Sequence, residues 1–132
     1  MMSFATARLP AAPDATAPDG SAVRTLLRLA RGSAIHVELP AGATSVAVAH
    51  RTVEELWYFL GGRGEMWRRA GDDEEIVVVE PGVCVSIPVG TRFQFRSLDA
   101  EPLTAICVTM PAWPGDAEAY RVEGKWPRRI SV

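Results

Sequence analysis

What most constrains this chain is its punctuation. Turn signals such as Pro40-Ala41-Gly42, Gly61-Gly62 and Pro81-Gly82 recur about every ten residues. The segments between them have the period of a strand. Ile35, Val37 and Leu39 alternate with His36 and Glu38, which predicts a half-buried strand with His36 on the solvent side. Val46, Val48 and His50 share one face of the next segment, and residues 56–60 form a continuous aromatic and aliphatic run. Residues 76–79, 83–87, 93–95 and 103–110 supply further strands, and residues 23–29 an early one. No helical period is sustained; only residues 116–121 read as a helical turn. Short strands at this spacing predict an all-β, antiparallel sandwich or barrel.

Composition narrows the setting. With 132 residues the chain predicts a single domain with one core. A net charge of −2 gives no electrostatic reason to expect nucleic acid or an anionic membrane as partner. No apolar run reaches the roughly 20 residues of a membrane helix. Residues 1–20 lack a basic start followed by an apolar block, so no signal peptide is expected. They are rich in Ala and Pro and predict a flexible arm ahead of the barrel. Cys84 and Cys107 both lie in apolar, strand-like runs, where thiols act as small hydrophobes; a reduced, cytoplasmic protein is expected. The C-terminal extension, residues 111–132, should cross the surface and pin itself by burying Trp113 and Trp126.

Two spaced patterns add chemistry. Gly42 is followed by Val48, His50, Glu55 and Gly62; Gly82 is followed by Pro88, Gly90, Phe93 and Ser97. Residues two apart on a strand point the same way, so positions 48 and 50 look inward together. A turn over residues 51–54 returns the chain with Glu55 facing them. By its spacing the chain resembles the cupin superfamily, with motif one at about 42–62 and motif two at about 82–97 of a barrel spanning 21–132. The resemblance implies a double-stranded β-helix (jelly roll) with its site inside the barrel. In that superfamily these motifs supply three histidines and a glutamate to one metal ion. Here Val48 and Phe93 occupy two of the histidine positions, and only His50 and Glu55 carry donor atoms. Two protein ligands hold a transition metal poorly. No tightly held metal or other cofactor is therefore expected, and a weakly bound divalent metal stays open. Extra donors would have to come from Cys84, Cys107 or Gln94.

The predicted pocket is lined by Val48, His50, Glu55, Trp57, Phe93 and Phe95. Arg51 and Arg92, with Arg96, stand near its implied mouth and favour an acidic ligand through forked hydrogen bonds. The run Asp72-Asp73-Glu74-Glu75 predicts a solvated hairpin loop. The leading expectation is a barrel that binds a small organic molecule. One enzymatic alternative, by resemblance to metal-free members of the superfamily, is an isomerase, epimerase or lyase with His50 as general base and Glu55 as its orienting partner. Another is a metal-dependent dioxygenase with further ligands. A purely structural role would follow if side chains filled the interior. The resemblance also implies a homodimer, with the arm before Val23 exchanged between copies.

Overall fold

The computed structural model describes residues 3–129. Two antiparallel sheets face each other in a double-stranded β-helix. The first sheet orders β1 (Ala15–Thr16), β2 (Ala22–Leu29), β3 (Gly32–Leu39), β10 (Leu103–Met110), β5 (Glu54–Gly61) and β8 (Cys84–Ile87). The second orders β11 (Ala119–Arg121), β4 (Val48–His50), β9 (Arg92–Ser97), β6 (Gly64–Ala70) and β7 (Asp73–Val79). The centre of the first sheet is β10, paired with β3 on one side and β5 on the other.

Strand β5 shows how the pattern becomes a barrel. Glu55, Trp57 and Phe59 are buried, whereas Glu54, Leu56, Tyr58 and Leu60 are exposed. Alternation of this kind places one set inside and the other outside. Phe59 packs with Leu39, Met66, Val79, Phe95 and Leu103 in a continuous core between the sheets. Gly62 follows the strand with φ 75°, and a Cβ there would collide with the Pro102 carbonyl. Only glycine accepts both conditions.

Several expectations need correction. Strand β6 carries no clear sequence signal, because Glu65, Arg68 and Arg69 interrupt its apolar pattern; Met66 and Trp67 are nevertheless buried. Asp73, Glu74 and Glu75 lie on β7 rather than in a loop, opposite Ala70, Arg69 and Arg68. The tight turn is confined to Gly71-Asp72. The helical turn is a short 3-10 segment, Asp116–Glu118, after which β11 pairs with β4. His36 does face the outer side of its strand, yet it is buried, with Nδ1 unpartnered. Arg24 lies across from it in register, and its guanidinium is held by Glu38 and the Pro10 carbonyl.

Both ends of the described chain are built into the structure. The N-terminal segment is not wholly a free arm: Ala15 and Thr16 pair with Val23 and Ala22 of the same chain. Ahead of it Phe4 and Leu9 are exposed. At the other end, Trp113 and Trp126 are only half-buried. The anchor is Gln94, which donates to the carbonyls of Ser45 (2.9 Å) and Trp126 (2.8 Å) and accepts from the amides of Lys125 and Trp126 (both 2.9 Å). The parts of the arm and of the C-terminal extension at residues 1–2 and 130–132 lie outside the described residues.

Candidate functional site

Between the sheets, beside the packed core, lies a cavity of about 240 Å³. Its inner wall comes from five strands, one of them β2 with Val23 and Thr25. β4 presents Val48 and His50, β5 presents Glu55 and Trp57, β10 presents Cys107, and β3 presents Ser33, Ile35 and Val37. Register explains the convergence, because Cys107 stands opposite both Trp57 and Ile35. The outer wall comes from two segments flanking the barrel: residues 15–19, with Asp19, and residues 113–119, with Trp113 and Asp116.

Glu55 is the electrostatic centre. Trp57 Nε1 donates to its Oε1 at 2.9 Å. Burial pushes the Glu55 carboxyl up to about 7, against hydrogen bonds from Trp57 and the Cys107 thiol that lower it, while Asp19 adds to the rise. The Cys107 thiol is itself raised by burial and by the neighbouring Glu55. His50 Nδ1 stands 3.8 Å from Glu55 Oε1, too far for a hydrogen bond, and has no other partner. Burial pulls the imidazole down to about 4. Between those values both groups are uncharged, so the pair is not an ion pair at mildly acidic pH. The ring is held edge-on by Phe93 and Trp113, at centroid distances of 5.3 and 5.2 Å.

The turn joining His50 to Glu55 is fixed from outside. Glu118 accepts from the amides of Thr52 (2.7 Å) and Val53 (3.1 Å) and from the Thr52 hydroxyl. Asp19 is buried, and its Oδ1 accepts from both the amide and the hydroxyl of Ser21 at 2.8 and 2.6 Å. Burial raises its carboxyl too. At the rim, Arg28 donates to the Trp113 carbonyl at 2.7 Å and holds that wall in place.

Of the residues singled out in the sequence, the cavity brings together Val48, His50, Glu55, Trp57 and Cys107. Phe93 and Phe95 point inward but do not line it; they pack against Trp57 at 6.1 and 5.0 Å and belong to the core. Arg51 is drawn away to the Ala117 carbonyl and the Tyr120 ring. Arg92 and Arg96 alternate with the inward phenylalanines and so face outward. Arg92 is exposed opposite Arg69, and Arg96 pairs with Glu65 at 2.6 Å. Cys84 is exposed, and Gln94 is engaged with the C-terminal segment. Asp19, Trp113 and Glu118 carry no sequence signal for a site. They come from segments outside both motifs, and only the pairing of β1 and β11 brings them near.

The site does not suit a transition metal. Val48 offers no donor, and Glu55 is already held by Trp57. Among the described residues no group of three or more His, Cys, Asp and Glu side chains could hold an ion.

Comparison with known proteins agrees with the architecture. The family model for the cupin domain matches residues 35–109. An uncharacterized protein of Methanocaldococcus jannaschii, MJ1618, is 30% identical over 100 residues, covering 72% of this chain and 77% of that one. Among solved structures, the capsular polysaccharide assembling protein CapF from Staphylococcus aureus superposes with a TM-score of 0.67 at 21% identity. That match covers 79% of this chain but only 32% of CapF, so the chain spans about a third of that protein. A Klebsiella pneumoniae protein with a double-stranded β-helix domain gives 0.65 at 15% identity, covering 79% and 85% of the two chains. KdgF from Halomonas gives 0.61 at 19% identity, covering 69% and 80%.

Proposed function

This chain belongs to the cupin family, and from that premise we propose that it binds a small organic molecule in its barrel without a tightly held metal. The observation that carries the reading is the gap between His50 Nδ1 and Glu55 Oε1. Two buried polar groups face one cavity at 3.8 Å without bonding to each other. Glu55 is already bonded to Trp57, but a buried nitrogen such as His50 Nδ1 is normally satisfied, and a ligand atom reaching it from the cavity would do so. At about 240 Å³ the cavity is smaller than the about 300–1,000 Å³ of pockets that take drug-sized ligands, so the molecule is small. The arginines that favour an acidic ligand in the sequence do not line it, and that preference loses its support.

Thermal unfolding against a library of small organic compounds tests the reading. A true ligand raises Tm as its occupancy grows, and the rise disappears in His50→Gln and Glu55→Gln. A library with no such compound sinks it.

A metal-free isomerase, epimerase or lyase is the second reading. It is favoured by the position of His50, whose unpartnered Nδ1 borders the cavity, although burial lowers the imidazole to about 4 and so weakens it as a base. Turnover that survives His50→Ala would exclude it.

We further propose that the protein pairs with a second copy of itself. Leu56, Tyr58 and Leu60 of β5 lie beside Val108 of β10 on the outer face, each between 36% and 49% exposed. Phe4 and Leu9, more exposed still, belong to the segment suited to lie on that face of a partner. A monomeric mass in light scattering would end this proposal. No helix among the described residues is long and apolar enough to cross a membrane. Two free thiols, one of them exposed, fit a reducing cytoplasm.

A further inference from the structure

The unengaged polar atoms of the cavity are not a balanced set. Its titratable groups are Asp19, Arg28, His50, Glu55, Cys107 and Asp116. The Trp57 indole N–H is engaged by Glu55, and the Cys107 thiol also bonds to that carboxyl. Arg28 is exposed at the rim and engaged by the Trp113 carbonyl, with Asp116 exposed beside it. What remains facing the interior is a surplus of acceptors: two buried carboxyl groups, bonded to Ser21 and to Trp57 and Cys107 but with lone pairs to spare, and an imidazole nitrogen without a partner. The indoles of Trp57, on the inner wall, and Trp113, on the outer, line the same cavity, Trp113 with its ring against His50.

We propose that the cavity recognises a small organic ammonium, a protonated amine on a compact apolar or aromatic body. This rests on the reading of the barrel as a binding site and names its ligand class. Buried acids normally have a cationic partner, and among the described residues the protein supplies none inside the cavity. A primary ammonium carries three N–H donors, which answer Glu55, Asp19 and the free nitrogen of His50. Tryptophan faces are the best aromatic surface for a cation. The high positions of the Asp19 and Glu55 carboxyls are consistent with this. They mark acids whose charged forms burial disfavours with no counter-charge to offset it. An arriving ammonium would favour the charged form of Glu55, which titrates at about 7, so binding near that pH releases protons to solvent.

Three probes of one shape decide the matter: benzylamine, benzyl alcohol and benzoate, titrated near pH 7 by calorimetry and by tryptophan fluorescence. Benzylamine should bind about tenfold or more tighter than the alcohol, as a charge-assisted hydrogen bond implies, with benzoate weakest. Its binding heat should change with the buffer's ionisation heat, reporting proton release. Asp19→Asn and Glu55→Gln keep the shape of each side chain and the acceptor that Ser21 or Trp57 uses. Each should weaken benzylamine about tenfold, clearly more than it weakens the alcohol, with circular dichroism confirming the fold. Benzoate or the alcohol binding as tightly as the amine would overturn the ammonium and leave the binding site standing. Amine affinity indifferent to both variants would also overturn it. If all three probes fail while the compound library yields another ligand, only the ammonium falls. If the library fails too, the binding site falls with it.

Discussion

One strand passes through two environments, and the contrast explains much of this molecule. On the inward face of β5, Phe59 sits in a filled interior with Leu39, Met66, Val79 and Phe95. Four residues earlier on the same face, Glu55 borders open space beside His50. Trp57 stands between them, packed on Phe59 and Phe95 and lining the cavity with its other side. The packed end gives the barrel its stability. The hollow end carries two groups whose burial costs free energy and which do not bond to each other.

The largest effect expected on this contrast is at the packed end. Phe95→Ala should cost about 3–5 kcal/mol in denaturant unfolding, the range for a large aromatic removed from a close-packed site. A loss below about 1 kcal/mol would mean that this end is not tightly packed.

The hollow end should answer to pH instead, by an amount on the order of 3 kcal/mol across the window for each group. In Glu55→Gln only His50 of the pair titrates. The unfolded imidazole takes up its proton near 6.5 and the folded one only near 4, so stability falls as pH drops through that range. In His50→Gln only Glu55 remains. The folded carboxyl keeps its proton up to about 7 and the unfolded one loses it near 4.5, so stability falls as pH rises through that range. Unfolding curves measured from pH 4 to 8, each referred to the double variant, should therefore slope in opposite directions. Two slopes of the same sign would show that the two groups do not sit as described.

Trp57→Phe acts at the junction. It removes the N–H that Glu55 accepts while leaving most of the ring packing, and about 1–2 kcal/mol should be lost. Because a hydrogen bond that lowers the Glu55 carboxyl goes with it, that group should titrate still higher, which NMR would follow. The smallest effect belongs to the outer side of the same strand. Tyr58→Ser should change the intrinsic unfolding free energy by less than about 0.5 kcal/mol while weakening self-association in sedimentation.

The barrel is legible in the sequence because turn residues and alternation are local signals. β5 is the clearest case: a run of eight residues whose burial pattern follows the period of two almost to its end. The inward position of Val48, His50, Glu55 and Trp57 follows from the same arithmetic. Position along the barrel does not. Phe93 obeys the alternation and faces inward, yet whether it meets empty space or Trp57 depends on how far β9 reaches along β4, which the sequence pattern does not encode. Nearness in sequence to the motif suggests Arg92 and Arg96 for the mouth, and alternation turns them outward. Asp19 and Trp113 are beyond local reasoning altogether. Each belongs to a flanking segment that becomes a wall only through strand pairing. His36 shows the opposite failure: alternation places it correctly on the outer face, but the Arg24 side chain bonded to Glu38 and the Pro10 carbonyl shelters it there.

The side chain of Gln94 has a consequence for how this protein can be shortened. Its amide sits in the dry interior with every bonding valence answered, and three of the four answers come from Lys125 and Trp126. Cutting the chain ahead of Lys125 would leave that amide with one bond of four, to the Ser45 carbonyl, a defect of the kind that unseats whole strands. What looks on paper like a dispensable tail is a keystone set last, and an engineer trimming for convenience would be dismantling the arch.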